Sequence, residues 1–147
     1  CITQTVNYLH SKLITQNVNV NTPLQLALAY LIYSRAYRQH LSALRPKLCK
    51  QVEEYRQFIA EAFKGITFGL TNPQGGYILW LQFAEKIDSW EMYCFAQQQD
   101  INIVPGLVFG VGSRYNNCIR INVGHSLTNE IKQAIHILAS WVRQQLL

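Results

Sequence analysis

Charge is the first thing this sequence has little of. Only 14% of its 147 residues are Asp, Glu, Lys or Arg, against roughly 25% in an ordinary soluble domain. With 49% hydrophobic residues the chain has enough apolar mass for one sizeable core. So small a charged fraction also suggests a surface partly covered by another segment or subunit. Long apolar runs are missing too. The longest, Leu26 to Tyr33, falls far short of the roughly 20 residues that span a bilayer. With no signal peptide either, the expectation is a cytoplasmic chain with no membrane partner. Cys1, Cys49, Cys94 and Cys118 form no C-x-x-C pair, so reduced thiols are expected rather than a zinc ribbon or a disulfide framework. His10, His40, His125 and His136 show no H-E-x-x-H spacing, and no metal site is expected. Ser113 and Ser126 lack a G-x-S-x-G setting. The glycine-rich stretch Gly106 to Gly112 lacks the G-K-[ST] of a phosphate loop. The chain opens on Cys1-Ile2-Thr3 without an initiator methionine, which is read as a piece of a longer protein.

What charge there is sums to +5, from 13 Lys plus Arg against 8 Asp plus Glu. The cations are spread along the chain, with one cluster from Arg35 to Lys50 that reads as a solvated helix face rather than a nucleic-acid surface. A weak helical pattern covers residues 2 to about 16. Thr22-Pro23 looks like a helix start, with Thr22 as N-cap and Pro23 at the first helical position. The tract from Leu24 to Tyr33 is apolar nearly all round, which predicts burial on several sides. From Tyr37 to Phe63 one apolar stripe runs through Leu41, Leu44, Leu48, Val52, Tyr55, Ile59 and Ala62, with a kink or fresh start expected near Pro46 and an end at Gly65.

Strands are then expected at Ile66 to Leu70 and Tyr77 to Phe83, a capped helix from Asp88 to about Gln99, a short strand Asn102 to Val104, a turn at Pro105-Gly106, a strand Cys118 to Val123, and a final helix opening at Thr128. This order predicts an α/β (α+β) fold. It is a small mixed or antiparallel sheet of about four strands with helices mainly on one face, preceded by a helical segment.

The strand Cys118-Ile119-Arg120-Ile121-Asn122-Val123 holds the most informative residue. Alternation puts Ile119, Ile121 and Val123 on one face, and Cys118, Arg120 and Asn122 on the other. An arginine amid apolar neighbours either reaches water at a sheet edge, pairs internally, or meets an acid group from outside, whose two oxygens match its planar fork.

Three blocks in fixed order sharpen this: Gly75-Gly76-Tyr77-Ile78-Leu79-Trp80, then Pro105-Gly106-Leu107-Val108-Phe109, then Asn117-Cys118-Ile119-Arg120-Ile121-Asn122. Together they resemble the C-terminal, small-domain end of class I/II aminotransferases of fold type I, which depend on pyridoxal 5'-phosphate. Tyr37-Arg38-Gln39-His40-Leu41 with Leu44-Arg45, and Arg114-Tyr115 with Gly124-His125, are most similar to the MocR-type members of the GntR-family regulators. Those join a winged-helix DNA-binding domain to an aminotransferase-like domain that senses a small amino compound.

The resemblance implies that Arg120 binds the carboxylate of an amino-acid or amine ligand, with Asn122, Gly76, Tyr77 and Phe109 as further contacts. Read without it, Tyr77, Phe109 and Trp80 are more often core, and Gly75 and Gly76 simply permit a tight turn. His125 reads as a cap of the last helix. The resemblance also implies residues 1–36 as the helical end of the large, cofactor-bearing domain or a linker, and 37–147 as the small domain. It implies a homodimer, DNA contacted only through a missing N-terminal domain, and the cofactor carried by the full-length protein on an upstream lysine. Lys12 follows Ser11 in a helical setting without a phosphate loop, so no cofactor is expected on this piece and it should be inactive alone. Two other readings remain: the same piece of a metabolic aminotransferase, or a non-enzymatic binding domain.

Overall fold

The computed structural model describes residues 21–110 and 112–147. The chain divides into two compact units, Cys1–Ala43 and Leu44–Leu147.

The described part of the first unit is helical. Helix α1 spans Thr22–Tyr33. Its N-cap is Asn21, whose side chain accepts from the Leu24 N–H at 3.2 Å. The expected cap, Thr22, is already inside the helix. Asparagine is at least as good a cap as threonine, and it leaves Pro23 within the first turn, where a missing N–H costs nothing. The expected burial of this helix is not found. None of its residues is buried, and its large side chains range from Ile32 at 46% to Tyr30 at 88% exposed. An all-apolar helix states that a cover is favourable; it does not bring the cover with it. At Ser34, whose hydroxyl oxygen accepts from the Tyr37 N–H at 3.1 Å, the chain starts helix α2, Arg35–Ala62. Pro46 lies inside this single helix rather than at a fresh start. The weak helix expected over residues 2–16 lies outside the described residues.

The second unit is built around the C-terminal half of α2. Val52, Tyr55, Ile59 and Ala62, at the predicted spacing, are buried. Gly65 at φ 84° ends the tract, a conformation open to glycine at little cost. Then follow β1 (Gly69–Leu70), β2 (Ile78–Gln82), α3 (Ser89–Gln98), β3 (Val104–Pro105), a 3-10 turn (Gly106–Phe109), β4 (Cys118–Asn122) and α4 (Asn129–Leu146). The strands form one antiparallel sheet in the order β1-β2-β4-β3.

Two strands are shorter than expected: β1 keeps only Gly69–Leu70 of the run from Ile66, and β3 begins at Val104. Apolar side chains of those flanks, such as Ile66, Phe68 and Ile101, pack against the core without joining a strand ladder. Helix α3 is capped as read, Asp88 accepting from the Trp90 and Glu91 N–H groups. Thr128 caps α4, accepting from the Ile131 N–H at 3.4 Å. His125 is therefore not the cap. It is exposed, and its carbonyl accepts from the Gln51 amide.

Alternation sets the two faces of the sheet. Leu79 and Leu81 of β2 with Ile119 and Val123 pack into the core with Val52, Tyr55 and Ile59 of α2, Met92 and Ala96 of α3, and Ile135, Leu138 and Val142 of α4. Each such side chain contributes roughly 1.5–3 kcal/mol on burial, so this face decides the register. The opposite face is the one that carries Trp80, Arg120 and Asn122.

Candidate functional site

Arg120 sits in the middle of the sheet, opposite Trp80 on β2 and Val104 on β3. It is half-buried. Its guanidinium carbon lies 4.8 Å from the centre of the Phe109 ring, a cation–π geometry. Phe109 meets the edge of Trp80 at 5.6 Å between ring centres, and Trp80 meets Tyr115 at 5.5 Å. The Phe109 ring thus covers one side of the arginine and is itself backed by Trp80, which Tyr115 backs in turn.

What the arginine lacks among the described residues is a counter-charge. Its Nε is buried with no hydrogen-bond partner. The ion pairs of the described residues are Lys50–Glu54, Arg56–Glu53 and Lys64–Glu61; none uses Arg120. A buried charged donor left unmatched costs on the order of 1–3 kcal/mol or more, and the ring stacking offsets only part of it. The side chain is not free in solvent, and no carboxylate of the described residues locks it. Its donors suit a planar acid group approaching in bidentate fashion.

The turn after β3 makes the cluster possible. A Cβ on Gly106 would fall on the backbone of Tyr115 and within 2.7 Å of the Cys118 Cβ. A Cβ on Gly110 would stand 2.7 Å from the Tyr115 ring. Only glycine at both positions lets the 3-10 turn lie against the 115–118 segment and carry Phe109 under Arg120. Beside these rings an open hollow of about 540 Å³ is lined by Val108, Phe109, Gly110, Arg114 and Tyr115. Asn117 joins β4 to the end of β2: its side-chain amide donates to the Phe83 carbonyl, and its own carbonyl accepts from the Phe83 N–H at 2.9 Å.

The structure brings two of the sequence candidates, Arg120 and Phe109, into contact. Asn122 shares Arg120's face but is committed locally, its Oδ1 accepting from the Gly124 N–H at 2.8 Å. Gly76, at φ 84°, and Tyr77 stand at the entry of β2. The Tyr77 carbonyl accepts from the Val123 N–H at 2.9 Å, and its ring lies close over Gly124.

Sequence reasoning missed the part played by Trp80 and Tyr115 as walls, and missed Gln51. The Gln51 side-chain amide is buried and donates to the carbonyls of Val123 at 2.6 Å and His125 at 2.7 Å, so α2 holds the exit of the arginine strand. A glutamine between Lys50 and Val52 gives no sign of this beyond its place on the apolar stripe. Cys118, at the strand's other end, has its thiol pushed up by burial, partly opposed by a hydrogen bond with Trp80.

The described residues do not fit a pyridoxal-phosphate site. Lys50 and Lys64 are exposed beside glutamates, Lys47 and Lys86 are exposed, Lys132 lies against the Phe58 ring, and the 106–110 turn has no lysine. Lys12 lies outside the described residues. No group of His, Cys, Asp and Glu among the described residues is arranged to hold a metal ion, and no helix among them is long and apolar enough to cross a membrane.

Comparison with known proteins places this arrangement. The family model for aminotransferase class I and II matches residues 8–138. YjiR of Escherichia coli K12, an uncharacterized HTH-type transcriptional regulator, is 28% identical over 130 residues, which is 86% of this chain and 27% of that protein. The HTH-type transcriptional regulator NorG of Staphylococcus aureus is 26% identical over 121 residues, 82% of this chain and 26% of NorG. The chain thus spans about a quarter of these relatives. Among solved structures, the kynurenine aminotransferase of Pyrococcus horikoshii aligns with a TM-score of 0.72 at 20% identity, over 98% of this chain and 35% of that one. LysN, the α-aminoadipate aminotransferase of Thermus thermophilus, aligns at 0.71 and 14% identity, over 97% and 36%. These two likenesses establish the fold.

Proposed function

Because this chain belongs to the class I and II aminotransferase family, we propose that it forms the small-domain end of an aminotransferase-like module that receives an amino-acid or amine ligand, in a MocR-type HTH regulator. HTH-type regulators are among its relatives in sequence, which favours sensing over metabolic turnover. In this reading residues 1–36 close a large domain, 37–147 form the small one, and DNA is contacted by a separate domain. The whole protein is a homodimer, and pyridoxal phosphate is bound by residues outside this chain. When bound, that group supplies an aldehyde able to condense with the ligand's amine.

The residues here orient the other end of the ligand. The observation that supports this is the uncommitted guanidinium of Arg120, stacked on Phe109 with a buried, unpartnered Nε. A carboxylate laid across it would satisfy the fork and remove the cost of the empty donor. Orientation of this kind is the service a bidentate arginine gives a bound acid.

The test is Arg120→Ala in the whole protein, with amino-acid binding followed by calorimetry and cofactor followed by its absorbance. The expected result is ligand affinity lower by about 10- to 100-fold, the loss of one charge-assisted pair, with the cofactor band unchanged. Unchanged affinity overturns the assignment.

A further inference from the structure

Trp80 stands directly across the sheet from Arg120. Its backbone is spent on its other neighbour. The Trp80 N–H donates to the Thr71 hydroxyl oxygen at 2.9 Å, and the Trp80 carbonyl accepts from the Thr71 N–H at 3.1 Å. In an antiparallel ladder, a residue whose two polar groups both turn to one neighbour forms a non-hydrogen-bonded pair with the other. Such a pair brings its Cα atoms to about 4.5 Å, nearer than a hydrogen-bonded one, and crowds its side chains together. Indole and guanidinium therefore rise side by side from the face opposite the core.

Both meet the same third group. The guanidinium carbon lies 4.8 Å from the centre of the Phe109 ring. The indole lies 5.6 Å from that ring, with 71° between the planes. Phe109 ends a 3-10 turn and is 43% exposed, so its own segment does little to fix the ring. Trp80 is better held. Besides its backbone bonds to Thr71 it meets Tyr115 edge-on at 5.5 Å and 86°. Its indole N–H, which can only donate, is bonded with the Cys118 thiol.

We infer that Trp80 is a positioning residue for the ligand's acid group: by backing Phe109 it keeps the Arg120 guanidinium where a carboxylate can be taken in bidentate fashion. This role presupposes the carboxylate at Arg120 proposed above. An arginine has several rotatable bonds, and a side chain that must first be ordered weakens binding. A guanidinium already laid on a fixed ring has less freedom to lose.

The test uses the whole protein with its cofactor and a small pair of probes that differ by a carboxylate, L-alanine and ethylamine, followed by calorimetry. What is read is the preference for alanine over ethylamine; a merely structural loss weakens both alike and leaves that ratio unchanged. Trp80→Leu should lower the preference about 3- to 10-fold, on the order of what ordering one loose side chain costs. Trp80→Phe, which keeps a ring, should restore most of it. Phe109→Leu should match Trp80→Leu, and the double variant should fall no more than about twofold below either single, because both act through one contact. Cofactor absorbance checks each fold, and where Trp80→Leu loses that band, Trp80→Met takes its place. Arg120→Ala should abolish the preference. If it does not, or if alanine fails to bind the unaltered protein, the reading of Arg120 falls and this role with it. A preference abolished by Arg120→Ala but kept in Trp80→Leu, a Trp80→Phe variant no better than Trp80→Leu, or single losses that multiply in the double variant overturns the role of Trp80 alone.

Discussion

Among the described residues the Arg120 side chain meets the Phe109 ring and no opposite charge, which leaves its Nε without a partner. Its place was legible in the sequence, because strand alternation alone separates it from Ile119 and Ile121; that it meets a carboxylate is what the resemblance carried by the three ordered blocks implies. The aromatic walls were not. Trp80 and Phe109 are brought together by a 3-10 turn whose direction depends on Gly106 and Gly110, and periodicity says nothing about where a turn points. Gly106 is where this is most sensitive. Gly106→Ala places a methyl group against the Tyr115 backbone and Cys118, and overpacking of this kind costs about 1–3 kcal/mol. Urea denaturation should show that loss, along with a change in the near-ultraviolet signal of Trp80 as Phe109 and Tyr115 shift.

At the scale of elements, helices α2, α3 and α4 and the sheet core followed from spacing and capping residues, because burial on one face imposes period 3.6 or 2, while α1 was read from its Thr22-Pro23 start and its apolar run. The shortened β1 and β3 did not, since apolar flanks such as Ile66, Phe68 and Ile101 enter the core from irregular backbone. Nor did the clamp between α2 and the exit of β4, because a glutamine on a helix looks solvated until its partners are known. Gln51→Leu keeps the volume and leaves the carbonyls of Val123 and His125 without their donor. The expected cost is about 1–3 kcal/mol, with faster amide exchange at Val123 than in β2.

Alkaline pH probes the same core. Burial raises Tyr55 above its ordinary 10.0, so the folded form keeps the proton longer than the unfolded one. The stability this group contributes is whole below about pH 10 and falls as pH rises through the folded value. Tyr55→Phe should flatten that part of the decline in a pH series of thermal melts, while the part owed to Cys118, also raised by burial, remains.

For the molecule as a whole, the shortage of charge raised the expectation of a partly covered surface. Helix α1 exposes the large apolar side chains Leu24, Leu26, Tyr30 and Tyr33. The sequence showed that this helix favours burial, and could not show what buries it, because a cover is a property of two surfaces.

Helix α2 is the regular element that runs through the division between Ala43 and Leu44, and Pro46 stands just beyond it. Proline has no N–H to give the carbonyl of Ser42, so the ladder of this helix is one rung short where the chain passes from one unit to the next. A helix weakened there opens at that point first. In deuterium exchange, the amides from residue 43 to residue 50 should trade their protons well before those from Val52 to Ala62. Pro46→Ala should restore the rung and slow them to the pace of their neighbours.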